Sequence, residues 1–476
     1  MLYLLFVITV ITIGTFLFGY HMGALNAPQA DICCLTSIPI GAKAFYDLPL
    51  CIPMSTTEFA VVTSIFTIGG LFGSLAASKP AQEYGRKGAM LWSTIGAILG
   101  PILMASASSM PMLAAGRLVA GFSSGMSVVL TPLFISEIAP KELRGSLGCL
   151  TQLSIVFGTL VSQLLGLRLS KSPYWRIILG LAAFLGLIQL VLLFFVIESP
   201  NWLVNHKNDV KQAKHTLRKL RGHDNIEAEL TEMGVSAGQV LDEEERALLG
   251  SENDNASPSS TQEAPASTRS FLFDPKYHQV LKATFILLVG QQFLGATAMV
   301  FFSTSIMASS FPSQAASISV YIGIVNLVVT AIASQLIDRT GRKFLLNLSV
   351  TGMALSTAGL SVSLFLHWPT ISAVCCVVFI AAFAVGAGPI PFLMVSELSP
   401  SEVAGIAQSL GLAGNWLGAF LVGTFFPTFK DLLGSWVFLI FTAAALAGLI
   451  GLRAYVPETK DKSIEEVWET RRERIE

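Results

Sequence analysis

The chain has 476 residues, 53% of them apolar and only 13% charged, with a formal net charge of −1. Soluble globular domains carry charge at about a quarter of their positions, so composition excludes that class and points to an integral membrane protein. The near-neutral balance selects no partner by itself, and no nucleic acid is expected.

Apolar runs long enough to cross about 30 Å of hydrocarbon recur at roughly 3–25, 58–78, 88–109, 112–136, 147–168, 175–197, 283–308, 316–337, 343–366, 370–395, 404–427 and 434–456. They predict an all-α membrane protein with twelve transmembrane helices. Lys and Arg concentrate in alternate loops and in the C-terminal tail, so the positive-inside rule puts both termini in the cytoplasm. The first run starts almost at Met1 with neither a basic lead-in nor a small-residue cleavage site, and reads as a retained span. It ends in "GYHMGALNAPQ", with His21 inside the apolar segment. Cys33, Cys34 and Cys51 follow in one outward loop. A disulfide there leaves one thiol over, and the sequence does not choose the pair.

Span 4 holds Arg117 in "GRLVAG" and leads into "EIAPKELRGSLG", with Glu137 and Arg144. Gln152 follows in span 5. His21 and Arg117 each lie about five residues from the outward ends of their spans, and at 1.5 Å per residue they share a depth. After "IESPNWL", with Glu198, the apolar pattern stops. Residues 205–280 form a polar linker that begins with the amphipathic "KQAKHTLRKLRG" and continues into an acidic, Ser- and Pro-rich stretch expected to be partly disordered. Span 7 carries adjacent amides, Gln291 and Gln292, in "GQQFLGATAMVFFSTS". Asn326 lies in span 8, and Asn415 beside Trp416 in span 11.

The chain repeats itself. "LFISEIAPKELRG" at Leu133 pairs with "LMVSELSPSEVAG" at Leu393, and "AQEYGRKGAML" at Ala81 pairs with "LIDRTGRKFLL" at Leu336, both about 260 residues apart. The expected domains are an N-terminal six-helix bundle over 1–204, the linker over 205–280, a pseudo-symmetric C-terminal bundle over 281–457 and a cytoplasmic tail over 458–476. Parallel repeats of this kind place a solute site near mid-membrane between the halves.

These motifs, with "DRTGRK" after span 8, "GAGPIPFLMVSEL" in span 10 and "VPETKDKS" after span 12, resemble the sugar porter family of the major facilitator superfamily. The resemblance covers essentially the whole membrane region. It implies a carrier of monosaccharides working by alternating access, expected to function as a monomer, with no enzyme activity, no cofactor and no metal. It also implies that Gln152, Gln291, Gln292, Asn326 and Asn415 hydrogen-bond the sugar, with Trp416, Thr297 and Phe392 nearby. Amides suit that task because they donate to and accept from hydroxyls without placing charge in low dielectric. The competing reading is that they bridge packed helices; Gln163 and Gln189 are assigned to packing.

Several positions depart from the glucose facilitators. Thr297 stands for Asn, Phe301 and Phe302 for tyrosines, and Ala384 and Phe392 for an acidic residue and a tryptophan. Each lost hydrogen bond weakens sugar binding by about 0.5–1.5 kcal/mol. The helix 10 pattern is similar to fungal vacuolar-type transporters, so the expected location is a vacuolar or other internal membrane, or the plasma membrane. Proton-coupled relatives carry an Asp where this chain has His21, opposite the equivalent of Arg117. Its loss implies facilitated diffusion. The alternatives are a His21 that senses pH, a proton symporter, and a non-transporting sugar receptor. Glu137, Arg144, Glu198, Arg86, Arg342, Glu397 and Glu458 match a charge network expected to latch the halves on the cytoplasmic side. Ala404, Gln82, Glu83 and Asn201 stand where relatives differ, and they are expected to weaken that latch.

Overall fold

The computed structural model describes residues 2–36, 39, 41–43, 47–140, 143–222, 226–233, 235, 268–308, 311, 314–460 and 466–468. The acidic and Ser-rich part of the linker lies outside them. Among the described residues, eleven stretches are long and apolar enough to span a membrane. The last, Glu402–Tyr455, is 54 residues long, and the turn Gly434–Trp436, with Gly434 at φ +58, folds it into two helices. Counting those two separately gives twelve apolar helices among the described residues. They are α1 (Leu2–Gly23), α2 (Thr56–Ala76), α3 (Gly85–Ala105), α4 (Met110–Ile138), α5 (Arg144–Leu169) and α6 (Trp175–Leu193). The second bundle contains α7 (Pro275–Ala308), α8 (Ala315–Thr340), α9 (Arg342–Phe365), α10 (Pro369–Leu398), α11 (Ser401–Leu433) and α12 (Val437–Tyr455).

Lipid supplies no hydrophobic force between helices, so close backbone approach does the packing. Where α2 crosses α4, a Cβ on Gly69, Gly73, Gly121 or Gly125 would lie 2.1, 1.9, 2.0 or 2.1 Å from a backbone oxygen of the facing helix. Any side chain there would separate the two helices. Two spans are interrupted. α7 has a widened turn over Phe285–Val289 and breaks at Gly295, φ +94. α10 has a widened turn over Phe383–Ala387, followed by Gly388 and Pro389.

The described linker helices, the start of α1 and Trp468 lie at the face where α4 and α10 end. There the repeat becomes a doubled module. Gly85 and Gly341, at φ +83 and +93, let the chain turn into α3 and α9. The backbone N–H groups of Arg86 and Lys87 then donate to Glu198 at 2.9 and 3.1 Å, and those of Arg342 and Lys343 to Glu458 at 2.9 and 3.0 Å. A carboxylate at a helix N-terminus satisfies donors that the helix itself leaves unpaired. Burial holds the Glu198 carboxyl above the usual range.

The linker helices Pro200–Lys207, Val210–Arg221 and Glu227–Glu232 share a small core of Trp202, Leu217, Ile226 and Leu230. Trp202 Nε1 fastens it to the Gln82 carbonyl at 2.7 Å, and Arg221 Nη1 to the Ile138 carbonyl at 2.7 Å. In the second bundle Trp468 Nε1 donates to the Leu398 carbonyl at 3.1 Å. Ile138 and Leu398 end α4 and α10, where helical carbonyls have no intrahelical partner. In the loop at the opposite, far face, Cys34 is joined to Cys51. Cys33 is the thiol left over; it is buried, and burial pushes it up to about 12.

Candidate functional site at the seam between the bundles

Near the middle of α7 and α11 the amides form one connected set. Thr297 Oγ1 donates to Gln292 Oε1 at 2.6 Å, and Gln292 Nε2 donates to Asn415 Oδ1 at 3.0 Å. Asn415 Nδ2 donates to Gln291 Oε1 at 2.8 Å and to the Leu288 carbonyl, inside the widened turn, at 2.7 Å. Gln291 Nε2 reaches across to the carbonyls of Ala387 and Gly388 in α10. In an unbroken helix the Ala387 carbonyl would accept from residue 391, which is a proline and has no N–H. Gln291 therefore repairs the break in α10.

The adjacent amides are thus unequal. Gln291 is 5% exposed and spends both ends on protein partners, whereas half-buried Gln292 is held in one orientation with an N–H and a lone pair still open. Trp416 adds a donor, since its buried indole Nε1–H has no protein partner. Its ring meets Phe18 of α1 edge-on at 5.5 Å between centroids, and a Cβ on Gly70 of α2 would sit 2.6 Å from it. The second bundle's polar set therefore faces an aromatic wall of the first.

Gln152 and Asn326 lie half-buried near the middle of α5 and α8. The bonds that tie the cluster together do not include them; Asn326 Oδ1 accepts from Thr330 of its own helix at 3.4 Å. Phe392 is half-buried, and its carbonyl accepts from Gln408 at 3.4 Å. Phe301 and Phe302 are buried, Phe302 stacking on Phe426 at 5.8 Å, so the missing tyrosine hydroxyls are matched by an apolar setting. Gln189 Nε2 donates to the Val10 carbonyl at 3.4 Å, and Gln163 packs against Gly323 across the seam. A cavity of about 290 Å³ lies elsewhere, inside the second bundle among α7, α9, α10 and α12, with apolar walls that include the half-exposed Phe293. It meets only Gln291 of the amide set and lacks the convergent polar groups of a solute site.

At the far face the bundles are pinned by a residue the sequence reading did not single out. Asn26, three residues beyond α1, donates from Nδ2 to the Val300 carbonyl at 3.2 Å and to Ser303 Oγ at 2.6 Å, and its Oδ1 accepts from the Thr304 N–H at 3.1 Å. Val300 carbonyl and Thr304 N–H are the two ends of one helical rung of α7. Phe302, at φ −126, distorts the turn between them. Asn26 thus stands in a rung of the partner bundle. Ser64 and Thr424 add a hydroxyl contact between α2 and α11 at 2.6 Å. The visible hint was the Asn in "GALNAPQ", beyond the end of the first helix and two residues before Pro28.

At the linker face, among the described residues, Arg86 with Glu137 and Arg342 with Glu397 each pair within one bundle. Arg86 grips Glu137 with two bonds, 2.6 and 2.8 Å, both side chains nearly buried. Arg342 meets Glu397 once, at 3.4 Å, because Thr459 Oγ1 donates to the other carboxylate oxygen. Glu83 pairs with exposed Lys79 at 3.9 Å, and Asn201 with Asn205. The Arg144 side chain lies outside the described residues. His21 and Arg117 do meet at the same depth, Arg117 Nη1 donating to the His21 carbonyl at 2.8 Å.

The profile of the "Sugar (and other) transporter" family matches residues 7–470. The chain belongs to this family. It is a multi-pass membrane transporter and not an enzyme. This sugar porter is 36% identical over 469 residues to a probable metabolite transport protein of Saccharomyces cerevisiae, covering 96% of this chain and 93% of that protein. It is 33% identical over 474 residues to the rat "Solute carrier family 2, facilitated glucose transporter member 3", covering 98% and 92%. Its fold superposes on the inward-open xylose transporter XylE of E. coli with a TM-score of 0.77 at 20% identity, covering 98% and 99% of the two chains.

Proposed function

We propose that this sugar porter carries a monosaccharide, a hexose such as glucose or a close relative, by facilitated diffusion, with the linker and both termini in the cytoplasm. The observation that carries the reading is the oriented Gln292, set by Thr297 and Asn415 beside the unpartnered indole N–H of Trp416. Desolvated sugar hydroxyls need donors and acceptors together, and an apolar ring face needs an aromatic wall; both occur at mid-depth on the seam. The glucose facilitator and the xylose transporter among its relatives support the solute class. Facilitated diffusion rests on α1, which contains no Asp or Glu to load a proton.

In this reading the far face is closed by Asn26, and transport exchanges that closure for one at the linker face, where the two bundles' charge modules meet. Counterflow of labelled hexoses and polyols into liposomes holding the purified protein, with and without a proton gradient, tests it. Saturable exchange that ignores the gradient and falls in Gln292→Ala is expected. Gradient-driven accumulation would make the protein a symporter, and no exchange of any sugar would refute the solute class.

A further inference from the structure

Arg117 is fully buried in the membrane, at 0% exposure, yet its described partners are all neutral. Its terminal nitrogens donate to the carbonyls of His21 and Thr63 at 2.8 and 2.9 Å, and its guanidinium lies 4.4 Å from the centroid of Phe66. Its Nε–H has no protein partner. Neither do both ring nitrogens of His21 or the hydroxyl of Thr63, residues that are each 1% exposed. Four orphaned polar atoms therefore belong to three residues, from α1, α2 and α4, that are already in contact.

The surrounding helices offer no countercharge. α1 contains no Asp or Glu. In α2 the acid is Glu58, committed to capping Ser55 at the far end. In α4 it is Glu137, twenty residues or about 30 Å along the helix, where Arg86 holds it. Asp31, in the far-face loop, accepts from the Ser172 N–H at 2.8 Å. A water molecule would satisfy hydrogen bonds here but leave the cation uncompensated in low dielectric, where burying a charge is most unfavourable.

We propose that Arg117, His21 and Thr63 form a binding site for a small inorganic anion, of which chloride is the abundant example. The guanidinium Nε–H, the Thr63 O–H and one imidazole N–H are three unmet donors on residues already in contact, and a monatomic anion accepts from such donors without needing acceptors in return. The site touches the solute seam through stacked rings: Phe66, under Arg117, stacks on Phe18 at 6.0 Å, and Phe18 meets Trp416. Occupancy is thus felt at the aromatic wall, whatever solute the seam carries.

Thermal unfolding of the purified full chain, at fixed ionic strength with chloride replaced stepwise by gluconate, tests the site without reference to transport. The melting temperature should climb by several degrees and saturate with chloride, and bromide should reproduce it. His21→Asp, whose carboxylate provides the countercharge internally, should melt at the same temperature in both salts. A flat wild-type response overturns the proposal, and so does a His21→Asp protein that keeps the wild-type response, because the anion then acts elsewhere. If that variant does not fold, crystals grown in bromide decide: an anomalous peak within hydrogen-bonding reach of Arg117 Nε supports the site, and an ordinary water there refutes it.

Discussion

Asn26→Ala should shift the carrier toward the state open at the far face. The substitution removes three bonds between the bundles, at 3.2, 2.6 and 3.1 Å. The Val300 carbonyl and Thr304 N–H it vacates are natural helical partners, so α7 regains about one bond by closing its own rung. The net loss is about two hydrogen bonds at roughly 0.5–1.5 kcal/mol each, or about 1–3 kcal/mol against the closed state. That corresponds to a change of about 5- to 150-fold in the conformational equilibrium. Spin labels on Ser170→Cys and Ser435→Cys, in the α5–α6 and α11–α12 turns of opposite bundles, would report it by pulsed distance measurement. The long-distance population should grow in Asn26→Ala, and less in Thr424→Val, which loses the single contact to Ser64. An unchanged distance distribution in Asn26→Ala would refute the idea that this side chain closes the far face.

The adjacent amides should separate by phenotype. Gln291→Leu strips the Ala387 carbonyl and Asn415 of partners and should lower stability by about 1–3 kcal/mol per orphaned group, read as a lower melting temperature. Gln292→Ala frees Asn415 Oδ1 and Thr297 Oγ1 on the half-buried seam, where water entering the vacated space can replace the lost amide. It should lower melting less than Gln291→Leu while raising the half-saturation constant for sugar exchange. The two halves of the linker-face network should also differ. Arg86→Ala abandons a nearly buried, doubly bonded Glu137 and should destabilise by about 3–5 kcal/mol, more than Arg342→Ala, whose contact with Glu397 is single and longer; equal losses in melting temperature would contradict this. Cys33 should resist alkylation at pH 8 while reduced Cys34, which is half-buried, reacts. Its folded thiol keeps its proton up to about 12 against a usual value of 9.0, so its contribution to stability is intact below pH 9 and declines as pH rises toward 12. Cys33→Ala should flatten that alkaline decline in a melting series.

Much of the architecture was legible in the chain because the bilayer imposes it. Backbone groups in hydrocarbon must be satisfied within a segment, so long apolar runs become helices, and the spacing between "EIAPKELRG" and "ELSPSEVAG" announced two similar bundles. The repeat set Arg86 with Lys87 and Arg342 with Lys343 at matching positions, but the contacts of their backbone N–H groups with Glu198 and Glu458 emerged only from the fold. A break between the last two apolar runs was legible too, over 428–433, although the chain turns later, at Gly434–Trp436.

Residue types marked the polar cluster, but only the fold divided its labour. Nothing local distinguishes Gln291 from Gln292. They differ because neighbours on a helix point about 100° apart, which turns one toward the proline break of α10 and leaves the other on the seam. Asn26 was not singled out by the sequence, and its role in a rung of α7 needed Phe302 bent out of helical geometry more than two hundred residues away in sequence. The Cys34–Cys51 bond, left open by three thiols in one loop, was chosen by which pair the loop brings within reach while Cys33 is buried. The sequence by itself determined which segments enter the membrane and which chemistry they carry there, because hydrophobicity and polarity are properties of residues. Partner choice was decided by the tertiary structure alone, because a hydrogen bond depends on distances between helices that no single segment encodes.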